Sequence, residues 1–130
     1  NGLVTKHSTK SFEDTYATLL KVLEDNPNLR IVAELDHSAN AGKVDLELAP
    51  TRIILFGNPK LGTVLMKDNQ NAGIDLPQKM LVILQDEQVK VLYNDPNYLQ
   101  TRHALSDTTT VVLDKMSAAL NAISNAAAGI

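Results

Sequence analysis

The stretch Ile53-Ile54-Leu55-Phe56-Gly57-Asn58-Pro59-Lys60 decides the fold. Its first half is a short apolar run, which predicts a buried strand over 52–56. Asn58 then offers a side-chain acceptor for the free amides of a helix, and Pro59 fits the first helical position, where no amide partner is needed. The stretch therefore predicts a strand that ends where a short helix, 59–67, begins.

The same signal recurs in the second half of the chain. There the apolar run 89–93 leads into Asn94-Asp95-Pro96, which predicts a strand followed by a helix over 96–105. Strand 89–93 is expected to form a hairpin with strand 79–84 across 85–88, and alternation predicts two more strands at 3–7 and 29–35. In the last of these, Ile31, Ala33 and Leu35 are expected to share one face.

Two long helices and one ambiguous segment complete the pattern. Ser11 is expected to cap a first helix, and Ser106 or Asp107 a last one, with an Ala- and Asn-rich tail, 121–129, that frays. The segment 36–48 alternates like a strand but also fits a short helix capped by Asp36, which we favour. The chain is thus predicted to be a single α+β domain over 1–130. It has about five mainly antiparallel strands, helices packed on one face and a long C-terminal helix.

Composition excludes several classes of protein. The net charge is -3 with no run of Lys or Arg, and there is no Trp, which argues against a nucleic-acid partner. No apolar stretch approaches the roughly 20 residues of a membrane helix, so no membrane insertion is predicted. The chain has no Cys, which excludes disulfide scaffolds and thiol catalysis.

Five stretches that together span most of the chain carry a family resemblance. They are Asp36–Ala41, Gly57–Met66, Ile74–Lys79, Tyr93–Pro96 and Arg102-His103. In this order they resemble the bacterial domain of unknown function 302 family. The resemblance implies one compact α+β domain, often exported and sometimes oligomeric, whose function is not established, so no catalytic roles carry over. Together with a start at Asn1 instead of Met, it favours export to the periplasm, with the cytoplasm as the alternative.

Metal and cofactor sites have no diagnostic spacing in this sequence. His37 and His103 could converge with Asp36, Asp75 or Asp95, but there is no His-x-x-x-His or His-Glu-x-x-His pattern. Met66 with a His is a conceivable haem ligand pair, although single Met and His residues are more often part of a core. The metal and the cofactor therefore stay unassigned.

Several polar side chains are expected near the strand-to-helix junctions, and they favour a ligand-binding function. The candidate ligand-binding residues are His37, Asn58, Lys60, Tyr93, Asn94 and His103. Without a recognisable catalytic set, they favour a non-enzymatic binding or sensing module for a small polar or anionic ligand. One alternative is an acid-base or hydrolytic enzyme that uses His103 or His37 with Tyr93. Another is a structural protein that forms a homodimer through the last helix.

Overall fold

Ten regular elements make up the chain in a computed structural model that describes residues 1–130. The strands are β1 Leu3–His7, β2 Arg30–Asp36, β3 Thr51–Gly57, β4 Gln78–Gln85 and β5 Gln88–Asn94. The helices are α1 Phe12–Glu24, α2 His37–Gly42, α3 Pro59–Asp68, α4 Pro96–Arg102 and α5 Thr110–Ala128, with 3-10 turns at Gln70–Ile74 and Asp107–Thr109. The strands form one antiparallel sheet in the order β1-β5-β4-β3-β2, which confirms the predicted α+β domain.

The inner face of the sheet carries the main core. Ile54 and Phe56 on β3 alternate inward, as do Met80 and Val82 on β4, and all four are 2% exposed or less. They pack in one cluster with the apolar stripes of α1 and α5, which include the buried Leu19. Both long helices therefore lie on one side of the sheet.

The opposite face of the sheet carries a row of apolar side chains. Leu35, Ile53, Leu81 and Leu92 are cross-strand neighbours on four successive strands. Leu35 is 47% exposed, and the other three are half-buried. Large apolar side chains on this face thus keep part of their surface in water, unlike those beneath the helices.

A bulge in β2 overturns one prediction about this sheet. Ile31 pairs with Phe56, but Ala33 already pairs with Leu55, so Val32 is an extra residue in the ladder. Because one inserted residue reverses the faces that follow it, Ala33 and Leu35 lie on the opposite face from Ile31. The prediction that these three side chains share a face was wrong.

Two other segments differ in extent from their predictions. Helix α2 does begin after Asp36, whose side chain accepts from the Ala39 amide, but it ends at Gly42. Residues 43–45 form a turn and residues 46–49 belong to no regular element, with Val44, Leu46 and Leu48 exposed. The favoured helix is therefore present only over the first part of the segment, and the alternative strand is absent. The tail does not fray, because Ala127 and Ala128 are fully buried in the core.

Asp68, at the end of α3, ties that helix to the start of the last helical region. Its two carboxylate oxygens accept from the Ser106 backbone amide and the Ser106 hydroxyl, both at 2.8 Å. These bonds, the amide first, lower the pKa of Asp68 below its ordinary value. The stabilisation is therefore complete above the unfolded-state pKa of about 3.9 and is lost as the pH falls through the lower folded-state pKa.

Asp68→Asn is accordingly expected to make the stability of the protein less sensitive to acid. We expect the free energy of unfolding to fall less steeply between about pH 5 and pH 2 in this variant than in the wild type. Urea unfolding followed by circular dichroism across that range measures the slope. Asp114→Asn, an exposed Asp on α5, is the control and should follow the wild type. Equal slopes for all three proteins would contradict the assignment.

Candidate functional site

A cleft of about 330 Å³ lies between the end of β3, the first turns of α3, and α5. The buried side chains of Phe56, Leu120 and Ile123 line it from the core side. Met66 on α3 and Met116 on α5 are also among its lining residues. Most of its lining is hydrophobic, and its volume lies near the lower end of the range for small-molecule pockets.

The local sequence starts α3 directly after β3, at the point where both elements border the cleft. The Asn58 side chain accepts from the Lys60 amide at 3.0 Å, and Pro59 occupies the first helical position, as predicted. The cap and the proline start the helix directly after β3. Asn58, Pro59 and Gly62 consequently line the cleft together.

Gln78 is the unusual residue of the cleft. It is the first residue of β4, pairs with Phe56 on the inner face, and is only 6% exposed. Its Nε2 is buried without a hydrogen-bond partner, which costs about 1–3 kcal/mol for an amide donor. Three other buried polar atoms lack a partner, on Arg52, Ser117 and Asn125, but none of those residues lines the cleft.

The charge around the cleft is sparse. Arg30, the first residue of edge strand β2, is its only charged lining residue, and no Asp or Glu lines it. Arg30 is exposed and takes part in none of the ion pairs of the molecule. The lining is therefore mainly apolar, with the polar side chains of Asn58, Thr63 and Gln78, and its one charge belongs to an exposed residue.

The six candidate residues from the sequence do not converge on one cavity. Asn58 lines the cleft, whereas Lys60 is exposed on α3 and His37 is exposed at the start of α2. Tyr93 and Asn94 lie at the end of β5 and do not line the cleft. Burial is the main cause that raises the pKa of Tyr93; nearby Asp95 adds to the rise, and the Ser124 hydroxyl opposes it.

His103 belongs to a separate polar cluster. Its Nε2 lies 2.6 Å from Asp75 Oδ2, and Arg102 donates to the same carboxylate at 3.1 Å. Its backbone carbonyl accepts from Asn69 at 2.7 Å, so the end of α4 is held to the loop after α3. A His–carboxylate pair can serve acid-base chemistry. Neither His103 nor Asp75 lines the cleft, however, and His103 is 7% exposed.

Two further findings concern the other predicted classes of site. Nowhere in residues 1–130 do three or more His, Asp or Glu side chains gather as a metal ion would require. Among the helices, not one combines the length and the apolar character that a bilayer crossing requires.

Sequence reasoning overlooked Gln78, although a signal was present. Gln78, Met80 and Val82 alternate along one strand, so Gln78 occupies a core-facing position with a polar side chain. A polar residue in the apolar phase of a strand is informative because burying it requires a partner. The contributions of Met116 and Leu120 depend on how α5 crosses the sheet, which no local pattern specifies.

Comparison with known proteins finds a family model and a solved structure that match most of the chain. The sequence model of the domain of unknown function DUF302 matches residues 4–123. The crystal structure of an uncharacterised conserved DUF302 protein from Bacillus stearothermophilus shares the fold, with a TM-score of 0.84 at 16% identity, and the match covers 97% of this chain and 98% of that one.

Three curated Brucella proteins also match. The fluoride-specific ion channel FluC 1 of Brucella suis biovar 1 (strain 1330) is 35% identical over 131 residues, which cover 99% of this chain and 51% of that protein. The protein named FluC 1 in Brucella abortus biovar 1 (strain 9-941) is equally similar, with 48% of its length covered. This chain therefore spans about half the length of the curated relatives it matches.

Proposed function

The chain belongs to the family of the domain of unknown function DUF302, and we propose that it is a non-enzymatic module that binds a small molecule in the cleft beside Gln78. The observation that carries the proposal is the Gln78 amide, a buried donor without a partner on a residue that lines an apolar cleft. Buried polar groups in folded proteins are nearly always hydrogen-bonded, and an exception calls for an explanation, of which a functional role is one. Nε2 itself has almost no accessible surface, so a half-turn of the side-chain amide would have to bring the N–H to the cleft, where a ligand would supply the missing acceptor.

The chemistry around the cleft supports binding more than catalysis. No His, Asp or Glu lines it, so the usual general acids and bases are not adjacent to a molecule placed there. The His103–Asp75 pair, which the enzyme alternative would use, is already joined to Arg102 and lies on residues outside the cleft lining. The Brucella proteins named as channels extend well beyond the matched half, so the proposal rests on the cleft and not on their name.

Ala119→Phe tests the proposal because Ala119 lines the cleft from α5 and its side chain is exposed. A phenyl ring at this position is expected to fill the cleft with little cost to the fold. Native mass spectrometry of protein purified from its own host should show the added mass of a small molecule on the wild type and a bare chain for Ala119→Phe.

Ala122→Phe is the matched control, since Ala122 is exposed on the same helix but does not line the cleft. We expect this variant to keep the added mass. A bare wild-type chain, or the same added mass on both variants, would count against a ligand in this cleft.

A further inference from the structure

We infer that the ligand is a neutral, largely apolar molecule with a carbonyl group whose oxygen accepts a hydrogen bond from Gln78 Nε2. The inference rests on the proposed function and adds the chemical class of the ligand. It differs from the polar or anionic ligand expected from the sequence, because the residues that line the cleft differ from the polar set that motivated that expectation. Three properties of the lining lead to it: its charge, its single buried amide and its size.

The near absence of charge in the lining favours a ligand whose buried part is neutral. An ionised group taken out of water needs an opposite charge or several hydrogen bonds beside it. Arg30 is the only charged residue of the lining, and it is exposed at the first position of an edge strand. No charged residue of the lining is buried, so a carboxylate or ammonium group placed beside Gln78 would lack a buried counter-charge.

The Gln78 amide favours an acceptor on the ligand. Its Nε2 is a donor that has no acceptor within the protein. A half-turn about the terminal bond of the side chain exchanges Nε2 with the amide oxygen, and this torsion has a broad energy profile. An unpaired oxygen is tolerated inside a protein better than an unpaired N–H. Nε2 is the inaccessible end of the amide in the structure, so the half-turn would bring the N–H to the cleft, where a ligand carbonyl would pair with it and leave the oxygen on the buried side.

The volume of the cleft and the flexible side chains of its lining favour a compact, apolar ligand. The cleft volume of about 330 Å³ lies near the lower end of the range for small-molecule pockets, which suits a compact ligand. Met66 and Met116 lie in the lining, and flexible thioether side chains adapt well to flat or irregular apolar surfaces. Aromatic or short aliphatic ketones, lactones and quinones share this chemistry.

Three probes with equal numbers of non-hydrogen atoms separate the possibilities. 2-Acetylnaphthalene offers a neutral carbonyl, 2-isopropylnaphthalene replaces it by hydrocarbon, and 2-naphthoate replaces it by an anion. The chain has three methionines, of which Met66 and Met116 line the cleft, while Met80 is fully buried in the main core and does not. NMR titration of the methionine methyl signals therefore reports binding in the cleft and contains its own reference.

We expect 2-acetylnaphthalene to shift the Met66 and Met116 signals more than that of Met80, and to bind about five- to tenfold more tightly than the hydrocarbon, with 2-naphthoate the weakest. Gln78→Leu should reduce the affinity for the ketone to that for the hydrocarbon. Gln85→Leu, at the exposed end of the same strand, should leave the affinities unchanged.

Two results would overturn the ligand class and leave the binding function standing. They are equal affinities of the wild type for ketone and hydrocarbon, and tightest binding of 2-naphthoate, in each case with the Met66 and Met116 signals shifted. Unshifted Met66 and Met116 signals with all three probes would overturn the class as well. If, in addition, native mass spectrometry of the protein from its own host shows no added mass, the proposed binding function is contradicted as well.

Discussion

Ile54→Ala is expected to lower the free energy of unfolding by about 3 kcal/mol or more, whereas Ile53→Ala, one residue earlier on the same strand, is expected to cost about 1 kcal/mol. Ile54 is 0% exposed beneath the helices, so its truncation leaves a cavity in a close-packed core. Ile53 lies on the opposite face, where it is half-buried and water can occupy the space that its side chain leaves. Urea unfolding at pH 7 measures both values.

The two substitutions form a matched pair. Each removes the same atoms and the same strand propensity from β3, so the difference between them reports which face of the sheet is covered. Equal costs at every protein concentration would contradict the one-sided core. A cost of Ile53→Ala that grows with protein concentration would instead indicate that a second copy of the chain covers the row Leu35, Ile53, Leu81 and Leu92.

Asp75→Ala is expected to destabilise the protein by about 2–4 kcal/mol, through a different mechanism. The substitution leaves His103, which is 7% exposed, without the carboxylate 2.6 Å from its Nε2. A buried ring nitrogen that loses its partner carries the full cost of its desolvation. Thermal unfolding at pH 7, converted to a free energy at the wild-type melting temperature, measures the effect.

Arg102→Ala is the control for this cluster because it removes the other partner of the same carboxylate. The Arg102 side chain is 47% exposed, so its ion pair with Asp75 is worth about 1 kcal/mol or less. We therefore expect Arg102→Ala to have a much smaller effect than Asp75→Ala. If the two substitutions cost the same, the pair between His103 and Asp75 is not what holds α4 in place.

Local chemistry in the sequence was sufficient to predict most elements of this fold. The caps at Asn58 and Asp95 have the predicted form, with side-chain acceptors 3.0 Å from the amides two residues on. The fold class followed from these signals and from alternation along the strands. The bulge at Val32 could not be predicted in this way, because it is a mismatch with a partner strand. The buried end of α5 likewise depends on packing against the rest of the core.

From the sequence, only the end of the sheet at which the proposed cleft lies could be predicted. Strands β3 and β5 both run antiparallel to β4, so the junctions at Asn58 and Asn94 lie at the same end. Since β4 separates them, they are about 10 Å apart, which is two strand spacings. Gln78 begins β4 at that end, between the two predicted signals. Only the order of the strands reveals this, and that order is not a local property of the sequence.

The strand order also has a consequence for how the chain assembles. β4 and β5 form a tight hairpin, but β1 must return from the start of the chain to pair with β5. Ordering the long intervening segment is entropically costly, so this pairing is expected to form late in folding. Until it forms, the N–H and C=O groups along one side of β5 are unpaired and can bind the edge of another chain. The five-residue strand β1 thus protects the completed sheet against edge-to-edge pairing, and the intermediate that forms before β1 pairs is the species exposed to aggregation.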